Sequence, residues 1–399
     1  MPYVKPNIYC YRFTQAAAWL VSSLIFRRKF KRNEIKDKKG PFVVIANHQT
    51  KLDFVNLITA SARPMTFVIS KSFYNTLPIK GFLGKLGVIP KQQFQTTVRD
   101  MRAIKSVIDS GEALVIYPAG LMCEDGISTP IPAATYKFLK WLGADVYAAR
   151  CSGTYFVMPK WSKGMRPGRT FMDIYKLFSK EELAELDVEA IKERTDSALL
   201  FDAYHEQAQL KVKYAGGRNI EGLENVLYTC PDCGAEFSIE AVNGNTLSCR
   251  KCGYKQVSDG YSLMSRSSEN GPELRYASDW SRLVLDTLRK RMKQGEDCVL
   301  EEDAEIHLID IDKKKFVPSG RCMVTLSEKG FALKGQINGE AAYMEIPITN
   351  IPTLPFGPGK YFEIQSGENI LRCYPEDGRL VMKYINMIKI FYEINKETK

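Results

Sequence analysis

Short apolar runs alternate with helical stretches between residues 41 and 210, and this alternation limits the possible folds more than any other feature of the chain. Four runs are rich in β-branched or aromatic residues and are bounded by turn residues, as strands are, at residues 42–46, 66–69, 113–117 and 146–150. Segments with helical spacing lie at residues 54–60, 96–110, 134–142, 180–186 and 189–210. This order predicts an α/β domain whose largely parallel sheet is covered on both faces.

Histidine is the side chain most often used for proton transfer, and the chain has three, His48, His205 and His307. His205 lies in a charged helical stretch and His307 in an alternating strand, so both are interpreted as structural. His48 follows an apolar strand and precedes Asp53 by five positions, in a loop where an α/β fold exposes reactive side chains. Its imidazole can take a proton from an alcohol while Asp53 fixes the tautomer. The alternative is that Asp53 caps a helix and His48 is a satisfied loop residue.

The segment NHQTKLD after an apolar strand resembles the His-x4-Asp motif of the glycerolipid acyltransferases, the family of the lysophosphatidic acid acyltransferases. Three further segments follow in the family's order: LGVIPK at residues 86–91, YPAG at 117–120 and RCSGTYFVM at 150–158, the last followed by RPGRT. The resemblance covers residues 1–210. It implies transfer of a fatty acyl group from a thioester, acyl-CoA or acyl carrier protein, to the hydroxyl of a lysophospholipid such as 1-acylglycerol-3-phosphate in phospholipid biosynthesis.

The resemblance also implies which residues form the site. His48 and Asp53 are the catalytic pair, and the residues implied to bind substrate are Asn47, Lys91, Tyr117, Pro118 and Gly120. Two positions depart from the family pattern: Ala119 replaces the glutamate of the third motif, and the arginine of the second motif falls by strict spacing on Gln93. The neighbouring Glu124 and Asp125 are candidates to replace the missing carboxylate. The departures leave an alternative function, a weak or inactive acyltransferase-like protein acting as a zinc-ribbon binding module for membrane, protein or nucleic acid.

Four of the ten cysteines form two Cys-x-x-Cys pairs, Cys230 with Cys233 and Cys249 with Cys252. Two such pairs fifteen residues apart can close a tetrahedral sulfur site for structural zinc, with residues 243–245 as the turn of a hairpin between them. The competing interpretation is a redox pair. The other cysteines are scattered and no secretory signal is evident, so we expect a reduced cytoplasmic setting. Cys123 and Cys151 are not expected to be nucleophiles, because no second histidine is available to activate them.

The beginning of the chain predicts contact with a membrane surface. Residues 13–26 are apolar but too short and too polar to span a bilayer, so we expect an interfacial helix. Residues 27–39 hold eight basic side chains against Glu34 and Asp37, which favours anionic lipid. The expected location is the cytoplasmic face of the cell membrane, as a peripheral or monotopic protein. A buried first helix followed by a solvated basic turn is the alternative.

Changes in composition divide the chain into five segments. They are an amphipathic membrane-association segment (1–40), the acyltransferase domain (41–225), the zinc ribbon (226–256), a linker with a basic helix (257–296) and a β-rich domain (297–399). In the last segment, six short strands and a final helix at residues 379–394 resemble the pleckstrin-homology-like class, which identifies no ligand. The net charge of +10 suits any anionic partner, and nucleic acid is not the expected one.

Overall fold

The structure is a computed structural model that describes residues 4–76, 79–91, 97–310, 313, 315–366 and 369–397. The chain divides into two compact units. The first comprises Met1–Pro159 with Gly164–Gly216, and the second comprises Lys160–Lys163 with Gly217–Lys399.

The first unit is built on a seven-stranded sheet. Its strands are β1 (Lys29–Asn33), β2 (Phe42–Ala46), β3 (Met65–Ser70), β4 (Ile89–Lys91), β5 (Ala113–Ile116), β6 (Asp145–Ser152) and β7 (Phe171–Phe178). They are arranged in the order β1-β7-β6-β2-β5-β3-β4, and every neighbouring pair is parallel except β6 with β7. The predicted α/β domain with a largely parallel sheet is therefore confirmed.

Within the described residues, ten helices accompany this sheet. They are α1 (Ile8–Leu24), α2 (Asp53–Leu57), α3 (Lys71–Thr76), α4 (Lys80–Lys85), α5 (Val98–Asp109), α6 (Ala134–Leu142), α7 (Thr154–Val157), α8 (Lys180–Glu185), α9 (Val188–Leu199) and α10 (Ala203–Leu210). The five residues of β2 are all buried. Val43 and Ile45 pack into a core with α5, α6 and α9, whereas Phe42 and Val44 pack into a second core with α1 and α2. Successive strand side chains point to opposite faces, so these two cores cover the sheet on both sides, as predicted.

The sheet begins earlier in the chain than the sequence analysis places it. Residues 29–33, predicted to be part of a membrane-association segment, form strand β1, which pairs with β7 in parallel at one edge of the sheet. Arg32 forms an ion pair with Asp173 of β7. Charged side chains are common on edge strands, where they discourage pairing with other chains, and they hide the apolar pattern by which strands are recognised.

A predicted single helix at residues 189–210 is two helices. α9 ends at Leu199, and α10 begins at Ala203 after a turn in which Asp202 accepts hydrogen bonds from the backbone N–H groups of Tyr204 and His205. An aspartate is among the best N-cap residues, because its carboxylate satisfies N–H groups that lack a helical partner. The helix predicted at residues 96–110 is observed as α5, and residue 96 lies outside the described residues.

Helix α1 lies at the surface of the first unit with much of its apolar side exposed. Tyr9 and Phe13 are 83% and 71% exposed, and Leu24 is 62% exposed. The alternative of a buried first helix is therefore wrong. In the part of the chain that the structure describes, no helix combines the length and the apolar character needed to cross a bilayer.

In the second unit, a four-stranded antiparallel sheet lies in the segment that carries the cysteine pairs, and Cys249 is the last residue of one of its strands. Its strands are β8 (Ile239–Val242), β9 (Thr246–Cys249), β10 (Lys255–Ser258) and β11 (Met264–Arg266), in the order β11-β10-β9-β8. The predicted hairpin is confirmed, because Val242 pairs with Thr246 across residues 243–245. The sheet continues past the predicted segment 226–256, because its last strand ends at Arg266. Helix α11 (Ala277–Lys293) follows.

The later part of the second unit contains, among its described residues, a seven-stranded antiparallel sheet and a final α-helix. The strands are β12 (Val299–Asp310), β13 (Lys315–Ser327), β14 (Gly330–Ile337), β15 (Glu340–Pro347), β16 (Phe356–Gly357), β17 (Tyr361–Ser366) and β18 (Asn369–Pro375). Their order is β15-β14-β13-β12-β18-β17-β16, and helix α12 (Leu380–Glu397) follows. A β-rich region with a final helix is thus confirmed. The resemblance of this region to the pleckstrin-homology-like class stays a prediction.

Candidate active site and metal centre

The predicted site residues of the first unit lie along one edge of its sheet. Strands β2, β5, β3 and β4 are adjacent and parallel, so their carboxyl ends meet at the same edge. His48 lies two residues after β2, Tyr117 directly follows β5, and Lys91 is the last residue of β4. Reactive side chains in open α/β sheets lie at this edge, beyond the carboxyl ends of the strands.

His48 and Asp53 are in direct contact. Nδ1 of His48 lies 2.9 Å from Oδ2 of Asp53. The side chain of Asp53 is fully buried, whereas that of His48 is 22% exposed. Because the carboxylate engages Nδ1, the other ring nitrogen, Nε2, is left for a reacting group. A carboxylate on one nitrogen orients the ring and stabilises its protonated form.

Asp53 does not act as a helix cap. It is the first residue of α2, the preceding Leu52 is the cap position, and no side chain caps this helix. The carboxylate instead accepts hydrogen bonds from residues before it, from the backbone N–H of Gln49 at 2.6 Å and of Thr50 at 2.9 Å. These bonds close a turn between residues 49 and 53, and the turn positions His48 next to the carboxylate. The helix-cap alternative therefore does not describe this residue.

Gln49, which the sequence analysis did not select, fastens this loop to the end of β6. Its side chain is fully buried, its amide nitrogen donates to the carbonyl of Cys151, and its amide oxygen accepts from Thr154 Oγ1 at 2.6 Å and from the Tyr155 backbone N–H at 2.8 Å. The only available signal was its position inside the motif, because a buried glutamine has no distinctive spacing.

The side chain of Asn47 also anchors the loop to β6. Its side-chain amide donates to the carbonyl of Cys151 at 2.8 Å and accepts from the backbone N–H of Cys151 at 2.7 Å. These two bonds fix the exit of β2 against β6. The structure therefore shows Asn47 supporting the loop, and its binding of substrate stays a prediction.

Tyr117 stacks on His48. The two ring centroids are 4.5 Å apart and the ring planes are inclined by 29°. The tyrosine hydroxyl is buried and has no hydrogen-bond partner among the described residues. Burial, followed by the negative charge of Asp53, raises the pKa of Tyr117 well above its ordinary value. The ring restricts His48 from one side, and the neutral hydroxyl remains a possible donor to a bound group.

A small cavity adjoins His48 on the side of the turn that follows β5. Pro118 and Ala119 line it together with Ser128, Thr129 and Phe201. None of the described residues that line it is acidic, lysine or arginine. Ala119, in place of the family glutamate, thus leaves this cavity without a carboxylate.

Neither carboxylate proposed to replace the missing glutamate lines this cavity. Asp125 accepts a hydrogen bond from the backbone N–H of Ile127, and Glu124 is buried. Gly120 is exposed and has a positive φ of 70°, which closes the turn that begins at Tyr117.

Lys91 lies on the same edge but farther away. The strand register places it level with Asn47, and three strand spacings separate the two by about 14 Å. Burial lowers the pKa of Lys91, and the nearby Asp100 opposes this effect. Gln93, the position to which strict spacing assigns the family arginine, lies outside the described residues.

Cys151 is unsuited to nucleophilic attack. Burial, followed by the negative charge of Asp53, raises the pKa of its thiol well above the ordinary value. A thiol in such surroundings stays protonated and inert. Cys123 is also buried.

The second unit contains a centre suited to a metal ion. The sulfur atoms of Cys230, Cys233, Cys249 and Cys252 lie within 4.8 Å of one another. Sγ of Cys230 is 3.6 Å from that of Cys252, and Sγ of Cys233 is 3.9 Å from that of Cys249. Four thiolates bound tetrahedrally to zinc at about 2.3 Å would be about 3.8 Å apart, so the observed spacing fits zinc with no open position.

Comparisons with known proteins agree with this division of the chain. Residues 27–159 match the family model described as Acyltransferase. Residues 223–257 match a zinc-ribbon family model described as DNA directed RNA polymerase, 7 kDa subunit. These matches support an acyltransferase-like domain and a zinc ribbon.

Two individual proteins are similar to the first part of the chain. The chain is 25% identical over 128 residues to the 1-acyl-sn-glycerol-3-phosphate acyltransferase BAT2, chloroplastic, of Brassica napus, which covers 31% of this chain and 37% of that protein. The chain thus spans little more than a third of that relative. The crystal structure of the 1-acyl-sn-glycerophosphate (LPA) acyltransferase PlsC from Thermotoga maritima is 19% identical, with a TM-score of 0.41, and covers 51% of this chain and 78% of that one.

Proposed function

We propose that this protein is an acyltransferase that moves a fatty acyl group from acyl-CoA or acyl carrier protein to the hydroxyl of a lysophospholipid, 1-acylglycerol-3-phosphate. The observation that carries the proposal is the contact of 2.9 Å between His48 and a fully buried Asp53 at the carboxyl edge of the sheet. The match of residues 27–159 to the acyltransferase family supports the same chemistry.

In the proposed reaction, His48 is the general base and the acceptor alcohol is the nucleophile. Nε2 takes the hydroxyl proton while the alcohol oxygen attacks the thioester carbonyl carbon, and Asp53 stabilises the resulting imidazolium. The carbon–sulfur bond then breaks, and the thiolate receives the proton from His48. The products are an ester and a free thiol, so the step needs no covalent intermediate on the protein.

The surroundings of His48 support an acceptor with separate apolar and anionic ends. The adjoining cavity is small and has no acidic, lysine or arginine side chain among its described lining residues, so its lining beside His48 is uncharged. Lys91, on the same edge and about 14 Å from Asn47, supplies a cation for the acceptor phosphate. A lysine binds phosphate as a point charge, so it would hold the headgroup less rigidly than an arginine.

We further propose that α1 rests on anionic lipid at the cytoplasmic face of the cell membrane. Its exposed apolar side chains, Phe13 and Leu20 among them, are followed by the exposed basic residues Arg27 and Lys29. An interfacial helix combines such a face with nearby positive charge. Ser22 on the opposite face of α1 bonds to Asn56 of α2, so the helix that carries Asp53 would lie close to the lipid.

The experiment that tests the catalytic proposal is release of free thiol from palmitoyl-CoA by detergent-purified protein, with lysophosphatidate and other lysolipids as acceptors. We expect release that depends on the acceptor and disappears in the His48→Ala variant. His205→Ala is the matched control, because His205 lies in α10 and is exposed, and it should retain activity.

Folded His48→Ala protein with unchanged acyl transfer would disprove the assignment. Silence of the wild-type protein with every acceptor, and with acyl carrier protein donors as well, would make Ala119 the leading explanation. That outcome would favour the alternative of an inactive acyltransferase-like binding module.

A further inference from the structure

We infer that the metal of the ribbon also holds helices α11 and α12, so that the Gly217–Lys399 unit reaches its native packing only when the four cysteines are occupied. The inference rests on the assignment of zinc to these cysteines. It goes beyond that assignment, because a ribbon on its own would order only its own loops.

Three residues close to the first cysteine pair contact α11, α12 or the residue directly before α12. On one side, the carbonyl of Thr229, directly before Cys230, accepts a hydrogen bond of 2.9 Å from Nε1 of the fully buried Trp280 of α11. The same indole contacts Tyr254, which follows the second pair, in an edge-on arrangement at 5.8 Å. One tryptophan of α11 therefore touches chain next to both cysteine pairs.

On the other side, Glu236 enters a network of partly buried charges. It contacts Lys383 of α12 at 2.6 Å and Arg291 of α11 at 3.1 Å. Asp297 completes the network, at 2.8 Å from each of the same two cations. The Lys383 side chain is only 8% exposed, so its charge depends on these two carboxylates. Glu236 can contribute only where the Cys230–Cys233 loop places it.

Phe237, next to Glu236, gives a third attachment. Its backbone adopts a positive φ of 54°, which is uncommon for a residue with a side chain and needs support from its surroundings. That support comes from stacking on Tyr228 at 5.3 Å and from Arg379, just before α12, which donates to the Phe237 carbonyl at 3.2 Å. Asn386 of α12 in turn donates to the Tyr228 hydroxyl at 3.4 Å.

Through these contacts, binding of the metal is thermodynamically coupled to packing of the two helices. Zinc fixes the loop that presents Thr229, Glu236 and Phe237, and that loop fixes α11 and α12. Because such coupling is reciprocal, loosening the helices must weaken metal binding by the same factor by which metal removal loosens the helices.

The first test compares the zinc-loaded full-length protein with chelator-treated protein by hydrogen exchange and mass spectrometry, after metal analysis of the loaded sample. We expect one zinc per chain, and faster exchange after its removal in Ala277–Lys293 and Leu380–Glu397 as well as in residues 228–257. Helix α5 of the first unit is the internal control and should be unchanged.

The outcomes separate the two claims. Absence of bound zinc would overturn the metal assignment itself. Bound zinc with faster exchange confined to residues 228–257 would leave the assignment standing and overturn the coupling to the helices. Faster exchange in α5 as well would also overturn it, because the effect would then be general unfolding.

The second test changes a helix residue and measures the effect on metal binding. Lys383→Met removes the buried cation without touching a cysteine, and zinc affinity is measured by competition with a chromophoric chelator. We expect a loss of about 10- to 100-fold, the usual effect of removing a group that orients metal ligands. Lys290→Met, an exposed lysine on α11, is the matched control. Should Lys383→Met fail to fold with zinc present, Asn386→Ala is the substitute. Wild-type affinity in the folded variant would refute the inference.

Discussion

Asp53 uses one oxygen for three contacts. Its Oδ2 accepts from the backbone N–H groups of Gln49 and Thr50 and also faces Nδ1 of His48. The backbone donors hold the carboxylate in place, so its orientation does not depend on the histidine. The loop is therefore organised before any substrate arrives, which is the condition under which a base works without reorganisation.

The Asp53→Asn variant separates charge from shape. The amide oxygen can still accept the two backbone hydrogen bonds, but the amide cannot stabilise an imidazolium. We expect kcat to fall by about 10²- to 10⁴-fold while the protein remains folded. Steady-state thiol release checks this, with Asp187→Asn, a helix-capping aspartate of α9, as control. Activity within twofold of the wild type would contradict a role for the carboxylate in proton transfer.

Tyr117→Phe tests a buried group without a partner. Removing the hydroxyl eliminates a desolvated donor that has no partner among the described residues, and the ring keeps its stacking on His48. We expect the free energy of unfolding to rise by about 1 kcal/mol, measured by denaturant titration. A fall in stability would show that the hydroxyl has a partner, such as bound water. A raised KM for the acceptor would support the predicted contact with substrate.

For individual residues, the sequence predicted a contact correctly where a motif fixed the spacing of the two side chains. The pairing of His48 with Asp53 follows from their spacing after a strand, because the loop is too short to separate them. The anchoring by Gln49 depends on Cys151 and Thr154, about a hundred residues away, and long-range packing of this kind leaves no local pattern. Ala119 could be noticed in the sequence, but that no carboxylate replaces it in the cavity required the structure.

Among the elements, strand β6 shows which contacts stabilise the edge of the sheet opposite to the carboxyl edge, where the parallel strands begin. Asp145 begins this strand and lies close to Lys38 and Lys176, at 3.1 Å and 3.0 Å. Burial alone would raise the pKa of Asp145, but Lys176, Lys38 and the backbone N–H of Lys180 together hold it below its ordinary value. This edge is remote from His48, so these contacts bear on stability.

Asp145→Asn should therefore lower the stability in a manner that depends on pH. A carboxyl group whose pKa is lower in the folded protein stabilises it above the unfolded pKa, about 3.9, and this contribution is lost as the pH falls through the folded value. We expect the variant to unfold at lower denaturant concentration at pH 7, and the difference to shrink below about pH 4. Asp109→Asn, on the exposed end of α5, is the control. A difference independent of pH would argue against the ion pairs.

Elements were predictable where one physical signal dominated. Strand β2 is apolar throughout because both of its faces are buried, and its bounds were predicted correctly. Strand β1 was missed because Lys29, Lys31 and Arg32 suit an exposed edge as well as they suit a loop. The break between α9 and α10 was missed because residues 200–202 contain neither glycine nor proline, and only the capping by Asp202 marks it.

For the whole molecule, the net charge of +10 attracts any polyanion, whereas insertion into lipid requires an apolar face. The double variant Phe13→Ser/Leu20→Ser separates these effects because it leaves the charge unchanged. We expect binding to vesicles containing phosphatidylserine to weaken by at least about tenfold, since each buried apolar side chain contributes about 1.5–3 kcal/mol. Retention on heparin should not change.

The control for this variant is Met165→Ser, an exposed apolar residue elsewhere in the first unit. It should bind vesicles like the wild type. Equal loss in both variants would point to a general effect of surface hydrophobicity, and full binding by the double variant would contradict the proposed orientation of α1.

Strand β1 has a consequence for the order in which the protein is made. Its partner β7 begins about 140 residues later, and at a synthesis rate of about 5–20 residues per second the ribosome needs roughly 7–30 s to produce it. During that interval β1 cannot join the sheet, and α1, directly before it, has no completed domain to pack against. The nascent chain therefore presents its apolar helix to the surroundings well before the His48–Asp53 loop is anchored to β6, so a lipid surface can be met during translation.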